Sequence, residues 1–307
     1  MKGSTFTFKD QDGFEIFVYK WAPDSDSPKA TIQIVHGLVE HAARYERVAE
    51  KLTSTGYICY ANDQRGHGKT GGEENKGYLG ENGWNGVLND MKRLTDIIKK
   101  ENPNIPCFLI GHSWGSLMTQ DYIQHWGSEL KGVVLSGTNG YVDEMLLQVG
   151  QTLIKKELKK HGQKSINEKF HKILFGPYNK PFEPAETEFQ WLNRDQEEVN
   201  KYANDPYCGY AGTTNLYGEL LYGVGKIWKE ENERAIPVDL PIYLISGSED
   251  PSNDMTKNLL KLIERYKNLG IKDLTYKIYD GARHEIFNEI NREEVFQDVI
   301  NWLNSHL

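Results

Sequence analysis

Short β-rich runs alternate with segments of helical period along most of this 307-residue chain. The β-rich runs are Glu15–Trp21, Thr31–Val35, Ile58–Ala61, Cys107–Ile110, Val133–Leu135, Ile242–Ile245 and Thr275–Ile278. Between them, apolar residues recur three and four positions apart, which is typical of a helix with one buried face. The stripes are Tyr45/Val48/Ala49/Leu52, Val87/Leu88/Met91/Leu94/Ile98, Met255/Leu259/Leu260/Ile263 and Val295/Phe296/Val299/Ile300/Leu303. This alternation predicts an α/β fold, with a mostly parallel, doubly wound sheet that carries helices on both faces.

The alternation stops between about Asn139 and Ala235, where no β-rich run occurs. Residues 141–228 hold seven Tyr, four Phe and two Trp, an aromatic content above that of the whole chain. We expect residues 139–235 to form a helical cap over one edge of the sheet, and residues 1–138 and 236–307 to form the core. An ordinary helical subdomain with an aromatic interior remains the alternative. Four lysines of this segment favour a solvated helix face over contact with an anionic head group: Lys155, Lys156, Lys159 and Lys160.

Charge and hydropathy argue against two other classes of protein. A net charge of −8 without a basic run is unsuited to general nucleic-acid binding, because phosphate neutralisation dominates that affinity. The longest apolar runs are strand-sized, well below the roughly 20 residues of a membrane span. The first residues lack the apolar core of a signal peptide. The three cysteines, Cys59, Cys107 and Cys208, share no metal-binding spacing, so we expect free thiols in a cytoplasmic protein.

The pentapeptide Gly111–Gly115 has the pattern G-x-S-x-G and joins a strand to a helix. It directly follows the run Cys107–Ile110 and precedes the helix-like run Leu117–Trp126. A serine on such a strand–turn–helix projects its hydroxyl from the carboxyl edge of the sheet, and the small flanking residues allow the tight turn. The pattern predicts that Ser113 is a catalytic nucleophile; the alternative is an inert serine in a glycine-rich turn.

A serine nucleophile of this kind needs a base and an acid, which follow it in the order acid, then histidine. Asp250 lies just after the run Ile242–Ile245, and His284 follows the run Thr275–Ile278. Both therefore belong to the sheet edge at which Ser113 is expected. We predict that His284 takes the serine proton and that Asp250 orients the imidazole. Three other acids remain open as rivals: Glu249, Asp239 and Asp254.

The dipeptide His36-Gly37 follows the run Thr31–Val35 and marks a candidate oxyanion hole. In hydrolases with a serine elbow, one backbone N–H comes from the residue after the serine and the other from a loop after an earlier strand. These residues are Trp114 and Leu38, and Gly37 allows close approach. A plain glycine turn is the alternative.

Cofactor and metal motifs are incomplete. The run Gly66–Gly71 reads G-x-G-x-x-G, yet a polar, glycine-rich stretch follows it where a dinucleotide site requires a helix. His284-Glu285 begins a zinc-protease pattern, but Asn288 stands in place of the second histidine. We therefore expect neither a cofactor nor a metal.

The motifs together resemble the monoglyceride lipase and lysophospholipase-like branch of the α/β-hydrolases. The matching segments are His36–Tyr45 (HGxxEHxxRY), Asp63–Gly68 (DxRGHG), Gly111–Gly115 (GHSxG), Asn204–Gly209 (a cap segment of bacterial members), Ser246–Asp250 (the strand-end acid) and Gly281–Glu285 (the catalytic histidine). The matches extend from Ile34 to about Asn288, so they cover most of the chain. The resemblance supports Asp250 over Glu249 as the acid.

The resemblance and the residues lead to one expected function. We expect a serine hydrolase that cleaves carboxylic esters, with single-chain acyl esters of the monoacylglycerol or lysophospholipid type as substrates, through an acyl-enzyme. Amide or thioester hydrolysis, acyl transfer to an alcohol, and a non-catalytic binding role on a hydrolase scaffold stay open. The expected partner is a small acyl ester, with at most transient contact with a membrane surface and no nucleic acid; the sequence does not predict an oligomeric state.

Overall fold

The computed structural model describes residues 1–25 and 27–307, and eight strands in this part of the chain form one sheet. The strands are β1 (Lys2–Lys9), β2 (Glu15–Ala22), β3 (Ala30–Val35), β4 (Tyr57–Asn62), β5 (Cys107–His112), β6 (Gly132–Ser136), β7 (Ile242–Gly247) and β8 (Leu274–Tyr279). Their order in the sheet is β1-β2-β4-β3-β5-β6-β7-β8. Every neighbouring pair from β4 to β8 is parallel, whereas β1 and β2 pair antiparallel at one edge. All seven β-rich runs are strands, which confirms the predicted mostly parallel sheet.

Strand β1 is the strand that the sequence did not predict. It lies at the edge of the sheet, and Phe8 is its one buried side chain. The other positions are exposed or half-buried, so the strand carries no apolar run that would mark it. An edge strand of this kind is defined by its hydrogen bonds to β2 rather than by its own hydrophobicity.

Helices cover both faces of the sheet, as the predicted double winding requires. The eleven helices of the described residues are α1 (Glu46–Ser54), α2 (Gly68–Gly71), α3 (Gly83–Glu101), α4 (Trp114–Trp126), α5 (Glu144–His161), α6 (Glu168–Asn179), α7 (Gln196–Asn204), α8 (Thr214–Ile227), α9 (Glu230–Glu233), α10 (Lys257–Asn268) and α11 (Arg292–Ser305). Helices α1 and α11 pack on one face, and α3, α4 and α10 belong to the larger core on the other.

The predicted stripe of α10 is wrong at two positions. Met255 precedes the helix, in a turn with positive φ. Leu260 is 47% exposed, because Leu259 and Ile263 already fill the buried face. The buried stripe of α10 is therefore narrower than its apolar residues predicted.

The segment between β6 and β7 contains the helices α5 to α9 and no strand. Helix α8 joins this segment to the rest of the molecule, since Lys226 forms an ion pair of 3.0 Å with the buried Asp121 of α4. Helix α8 also binds the N-terminus of α3, because the Glu219 carboxylate accepts a hydrogen bond from the Trp84 N–H at 2.7 Å. The division of the chain into core and cap stays a prediction. Within the described residues, no helix has the length and hydropathy to span a bilayer.

Candidate active site

Ser113 lies in a strained turn between β5 and α4. Its φ is 53°, a left-handed conformation that is rare for residues other than glycine. A Cβ on Gly111 would lie 2.4 Å from the Gly115 carbonyl oxygen, and one on Gly115 would lie 2.1 Å from that of Val35. Both glycines of the motif are therefore required by the packing of the turn against β3 and α4.

His284 and Asp250 are joined by a hydrogen bond of 2.9 Å between Nδ1 and Oδ2. Asp250 is fully buried, and the Ser252 N–H donates to its other oxygen at 2.9 Å. Burial alone lowers the pKa of His284, but the charge of Asp250 and its hydrogen bond outweigh that effect. The pKa of His284 is therefore raised above its usual value. This pair has the geometry of a base that is held and oriented by an acid.

The rival acids lie elsewhere. Glu249 points to solvent, Asp239 forms an exposed ion pair with Lys272, and Asp254 does so with Lys257. The structure thus brings Asp250 to the imidazole and none of the three rivals.

Ser113 and His284 border the same two cavities, although no hydrogen bond joins Ser113 Oγ to the imidazole among the described residues. Catalytic hydrogen bonds are often long before substrate binds. Imidazole Nε2 is the ring nitrogen left for the serine, because Nδ1 is engaged by Asp250. The assignment of the three residues as a catalytic triad stays a prediction.

The two backbone amides predicted for the oxyanion hole have no acceptor in the part of the chain that is described. These are the N–H groups of Leu38 and Trp114, and both residues border the larger cavity next to Ser113. The neighbouring Gly37 N–H, by contrast, is engaged by the Glu40 carboxylate. The arrangement leaves these two donors free for a ligand oxygen.

A buried ion network, which no sequence motif predicted, connects the loop after β3 with the loop that carries His284. Arg44 contacts Glu40 and forms a two-pronged pair with Glu285, at 2.7 and 2.8 Å. Burial opposes ionisation of Glu40, but the Arg44 charge outweighs it and holds the pKa of Glu40 below its usual range. The Tyr45 hydroxyl completes the network with a bond of 2.8 Å to Glu40. Two loops of the site are thereby fixed to each other.

Three histidines near the site are buried and neutral. Burial lowers the pKa of His36 and of His67 to about 3, and that of His112 to about 4. Both ring nitrogens of His36 form hydrogen bonds with the backbone. Nδ1 bonds with the Gly37 carbonyl oxygen at 2.7 Å, and Nε2 accepts the Gln64 N–H at 3.0 Å. These rings shape the loops, and their lowered pKa values make them poor proton acceptors at neutral pH.

One group of potential metal ligands was also not predicted. His41, Asp205 and Cys208 bring their ligand atoms within 4.8 Å of one another. His41 Nε2 already contacts Asp205 Oδ2 at 2.9 Å, and burial raises the pKa of the Cys208 thiol. Cysteine and histidine spacings along the sequence do not indicate this group, because His41 and Asp205 are 164 positions apart.

Two cavities of different character meet at Ser113. The larger one, of about 440 Å³, is mainly apolar, and its walls include Leu147, Phe170, Phe175, Trp191, Leu220 and Trp228. Five aromatic side chains of the 139–235 segment thus line it: Phe170, Phe175, Tyr178, Trp191 and Trp228. The smaller cavity, of about 90 Å³, also has mainly apolar walls, but more charged side chains border it, among them Glu40, Lys172 and Glu188. Ser113 therefore borders two mainly apolar cavities, of which the smaller also has several charged side chains at its walls.

One protein family and several individual proteins are similar to this chain. The model of the family described as serine aminopeptidase, S33, matches residues 26–291. The chain is similar to the monoacylglycerol lipase of Mycolicibacterium smegmatis, with 28% identity over 310 residues that span 99% of this chain and 98% of that one. It is also similar to the monoglyceride lipase of Mus musculus, with 29% identity over 296 residues that span 96% and 87%.

Among solved structures, the chain is similar to a highly thermostable carboxyl esterase from Bacillus coagulans. The TM-score is 0.91 and the sequence identity is 26%, over 99% of each chain. The likeness therefore includes the segment between β6 and β7 as well as the sheet.

Proposed function

The chain belongs to the serine aminopeptidase S33 family, has the α/β-hydrolase fold and is an ester hydrolase; we propose that it cleaves single-chain acyl esters through a serine acyl-enzyme. The observation that carries this proposal is the position of Ser113. It lies between the Asp250–His284 pair, two free backbone amides and an apolar cavity. The preferred substrates are of the monoacylglycerol or lysophospholipid type.

The proposed reaction has two halves. Ser113 Oγ attacks the ester carbonyl carbon while His284 Nε2 takes its proton, and the Leu38 and Trp114 N–H groups bind the oxyanion. The C–O bond to the alcohol then breaks, and His284 gives the proton to the leaving oxygen. Water, deprotonated by the same imidazole, attacks the acyl-enzyme and releases the carboxylic acid. Each oxyanion donor contributes about 3 kcal/mol in comparable enzymes.

The larger cavity is suited to the acyl chain. Each methylene moved from water into apolar surroundings contributes about 0.8 kcal/mol. The cavity reaches the protein surface at α5, where its wall includes the exposed Leu146, Val149 and Leu153. A single chain can enter there, whereas a triacylglycerol would need room for two more chains beside the nucleophile. We expect at most transient contact between this opening and a lipid surface.

The smaller cavity is suited to the alcohol part of the ester, because several polar side chains border it. Its side chains offer donors and acceptors, including Lys172, Asn179 and Glu188. Ligand sites commonly combine mainly apolar walls with a few placed polar groups of this kind.

A chain-length series tests this proposal. We expect kcat/KM for p-nitrophenyl esters to rise from acetate through longer acyl chains and then reach a plateau. Monoacylglycerol or lysophospholipid should be cleaved efficiently and triacylglycerol poorly. Ser113→Ala is the control, and it should be inactive on every ester.

Three outcomes would contradict the proposal. Acetate as the best substrate would mean that the aromatic side chains only fill the interior of the 139–235 segment. Efficient triacylglycerol cleavage would show that the site is not enclosed. Faster cleavage of matched amides or thioesters than of esters would assign the site to one of those reactions instead.

A further inference from the structure

Val39, the residue after the proposed oxyanion donor Leu38, has an unusual backbone conformation. Its φ is 51°, and its side chain is buried with 3% exposure. A β-branched residue rarely adopts positive φ, because its Cβ substituents crowd the backbone. Something other than local preference therefore holds the loop of residues 36–41, here called the oxyanion loop, in this shape.

The Val39 carbonyl oxygen accepts two hydrogen bonds from one distant segment. The Tyr202 hydroxyl donates at 3.1 Å, and the Gly209 N–H donates at 2.9 Å. In the same segment, Asp205 contacts His41 at 2.9 Å. Residues 202–209, here called the cap loop, thus bind the oxyanion loop at two of its residues.

Other contacts fix the two groups of the cap loop that donate to the Val39 carbonyl oxygen. Gly209 has φ 64°, and a Cβ there would lie 2.5 Å from the Phe189 ring, so a larger residue would displace its N–H. The Tyr202 ring lies 4.7 Å from the Arg44 guanidinium and 5.0 Å from the Phe189 ring. The two donors are therefore held in place independently of Val39.

We propose that the cap loop positions the oxyanion hole, with the Tyr202 hydroxyl holding Val39 in its left-handed conformation so that the Leu38 N–H is directed at the substrate oxyanion. Tyr202 is a positioning residue, acting through Val39. The inference rests on the proposed function, since it assumes that Leu38 is an oxyanion donor. It gives the segment between β6 and β7 a part in the chemistry as well as in enclosing the substrate.

The first test is Tyr202→Phe, which removes the hydroxyl and keeps the ring. Loss of an oxyanion donor costs about 10²- to 10³-fold in kcat, so a misdirected one should cost about tenfold or more. We expect kcat for a p-nitrophenyl ester to fall by this factor with little change in KM. The inhibition constant of a trifluoromethyl ketone, which forms an oxyanion on the nucleophile, should rise by the same factor. Tyr222→Phe removes a hydroxyl from α8, at an exposed position that borders neither cavity at Ser113, and should leave both values unchanged.

The second test asks whether backbone strain is the cause. Glycine adopts positive φ freely, whereas alanine does not. Val39→Gly in the Tyr202→Phe background should therefore restore much of the lost kcat. Val39→Ala removes a similar side-chain volume but retains the strain, and it should not restore activity. A Tyr202 hydroxyl that acts only by binding the alcohol in the small cavity would give no rescue by either variant.

These outcomes separate the inference from the proposed function. A fluorophosphonate should still label Ser113 completely in Tyr202→Phe, although more slowly. Unchanged kcat in Tyr202→Phe, equal rescue by glycine and alanine, or no rescue by glycine would overturn the inference and leave the triad intact. Labelling at a residue other than Ser113 in the unaltered protein would instead overturn the proposed function.

Discussion

Replacement of Asp250 by asparagine should nearly abolish activity, whereas Glu249→Gln should have little effect. The Asp250 carboxylate is fully buried and binds His284 Nδ1 at 2.9 Å, while Glu249 is exposed one residue away. An amide can donate to Nδ1, which places the imidazole proton on Nε2 and leaves no base for Ser113. The paired variants therefore test which of two adjacent acids orients the histidine.

The expected magnitude follows from the surroundings of the imidazole. The corresponding change in a well-characterised serine protease costs about 10⁴ in kcat. Here Ser252 Oγ also lies 3.1 Å from His284 Nδ1, so it can accept that N–H and preserve some of the productive tautomer. We therefore expect a loss of about 10³ to 10⁴, which corresponds to about 4–5.5 kcal/mol in the barrier.

The pH profile provides a second readout of the same change. The imidazole must be neutral to accept the serine proton, so kcat/KM should rise with pH through the pKa of His284. Burial lowers this pKa and the Asp250 charge raises it above the usual 6.5. Asp250→Asn removes the raising effect, so the acid limb of its residual activity should move to lower pH.

The assay is release of p-nitrophenol from a short-chain ester across the acid and neutral pH range, with thermal unfolding to confirm that each variant is folded. An Asp250→Asn variant with more than about a tenth of the original kcat/KM would refute the tautomer argument. An equal loss in Glu249→Gln, or an acid limb that does not move, would refute the assignment of the acid.

Three further outcomes are expected. Arg44→Met leaves Glu40 and Glu285 buried without their counter-charge, so the free energy of unfolding in urea should fall by about 3–5 kcal/mol, and an unchanged midpoint would contradict the network. Gly115→Ala places a Cβ 2.1 Å from the Val35 carbonyl oxygen. The free energy of unfolding, measured by thermal unfolding, should therefore fall by about 1–3 kcal/mol, and activity should also fall. EDTA should leave the rate of ester cleavage unchanged, because the proposed mechanism uses no metal; zinc-dependent recovery of a chelated, inactive sample would contradict this.

The sheet was predictable because its buried strands are marked by their own residues. The six residues of β5 are all buried, and the run Cys107–Ile110 shows this as continuous hydrophobicity. The edge strand β1 has no such mark, and its place depends on pairing with β2. Leu260 was predicted to be buried because it is apolar, but it is exposed. A hydrophobic side chain on a helix can still face solvent.

The positions of the candidate catalytic residues were predictable for a topological reason. Ser113, Asp250 and His284 each follow a strand of the parallel part of the sheet, and the carboxyl ends of such strands share one edge. The structure brings Asp250 and His284 into contact and places Ser113 on the same cavities.

The contacts that support this site were not predictable from local pattern. Arg44 and Glu285 are 241 positions apart, and neither has a sequence neighbour that indicates the other. The bond between Tyr202 and Val39 depends on how the cap loop folds back onto the sheet, which helical periodicity does not determine. Such long-range polar pairs arise from the three-dimensional packing of the elements rather than from the sequence of any one of them.

The proposed acyl-enzyme on Ser113 can be trapped and identified directly. The protein is mixed briefly with excess p-nitrophenyl ester, quenched in acid, digested and examined by mass spectrometry. We expect one acyl group on the peptide that contains Ser113, formed with the burst of p-nitrophenol and absent in Ser113→Ala. An acyl group on a different residue, or undiminished ester cleavage by Ser113→Ala, would contradict this expectation.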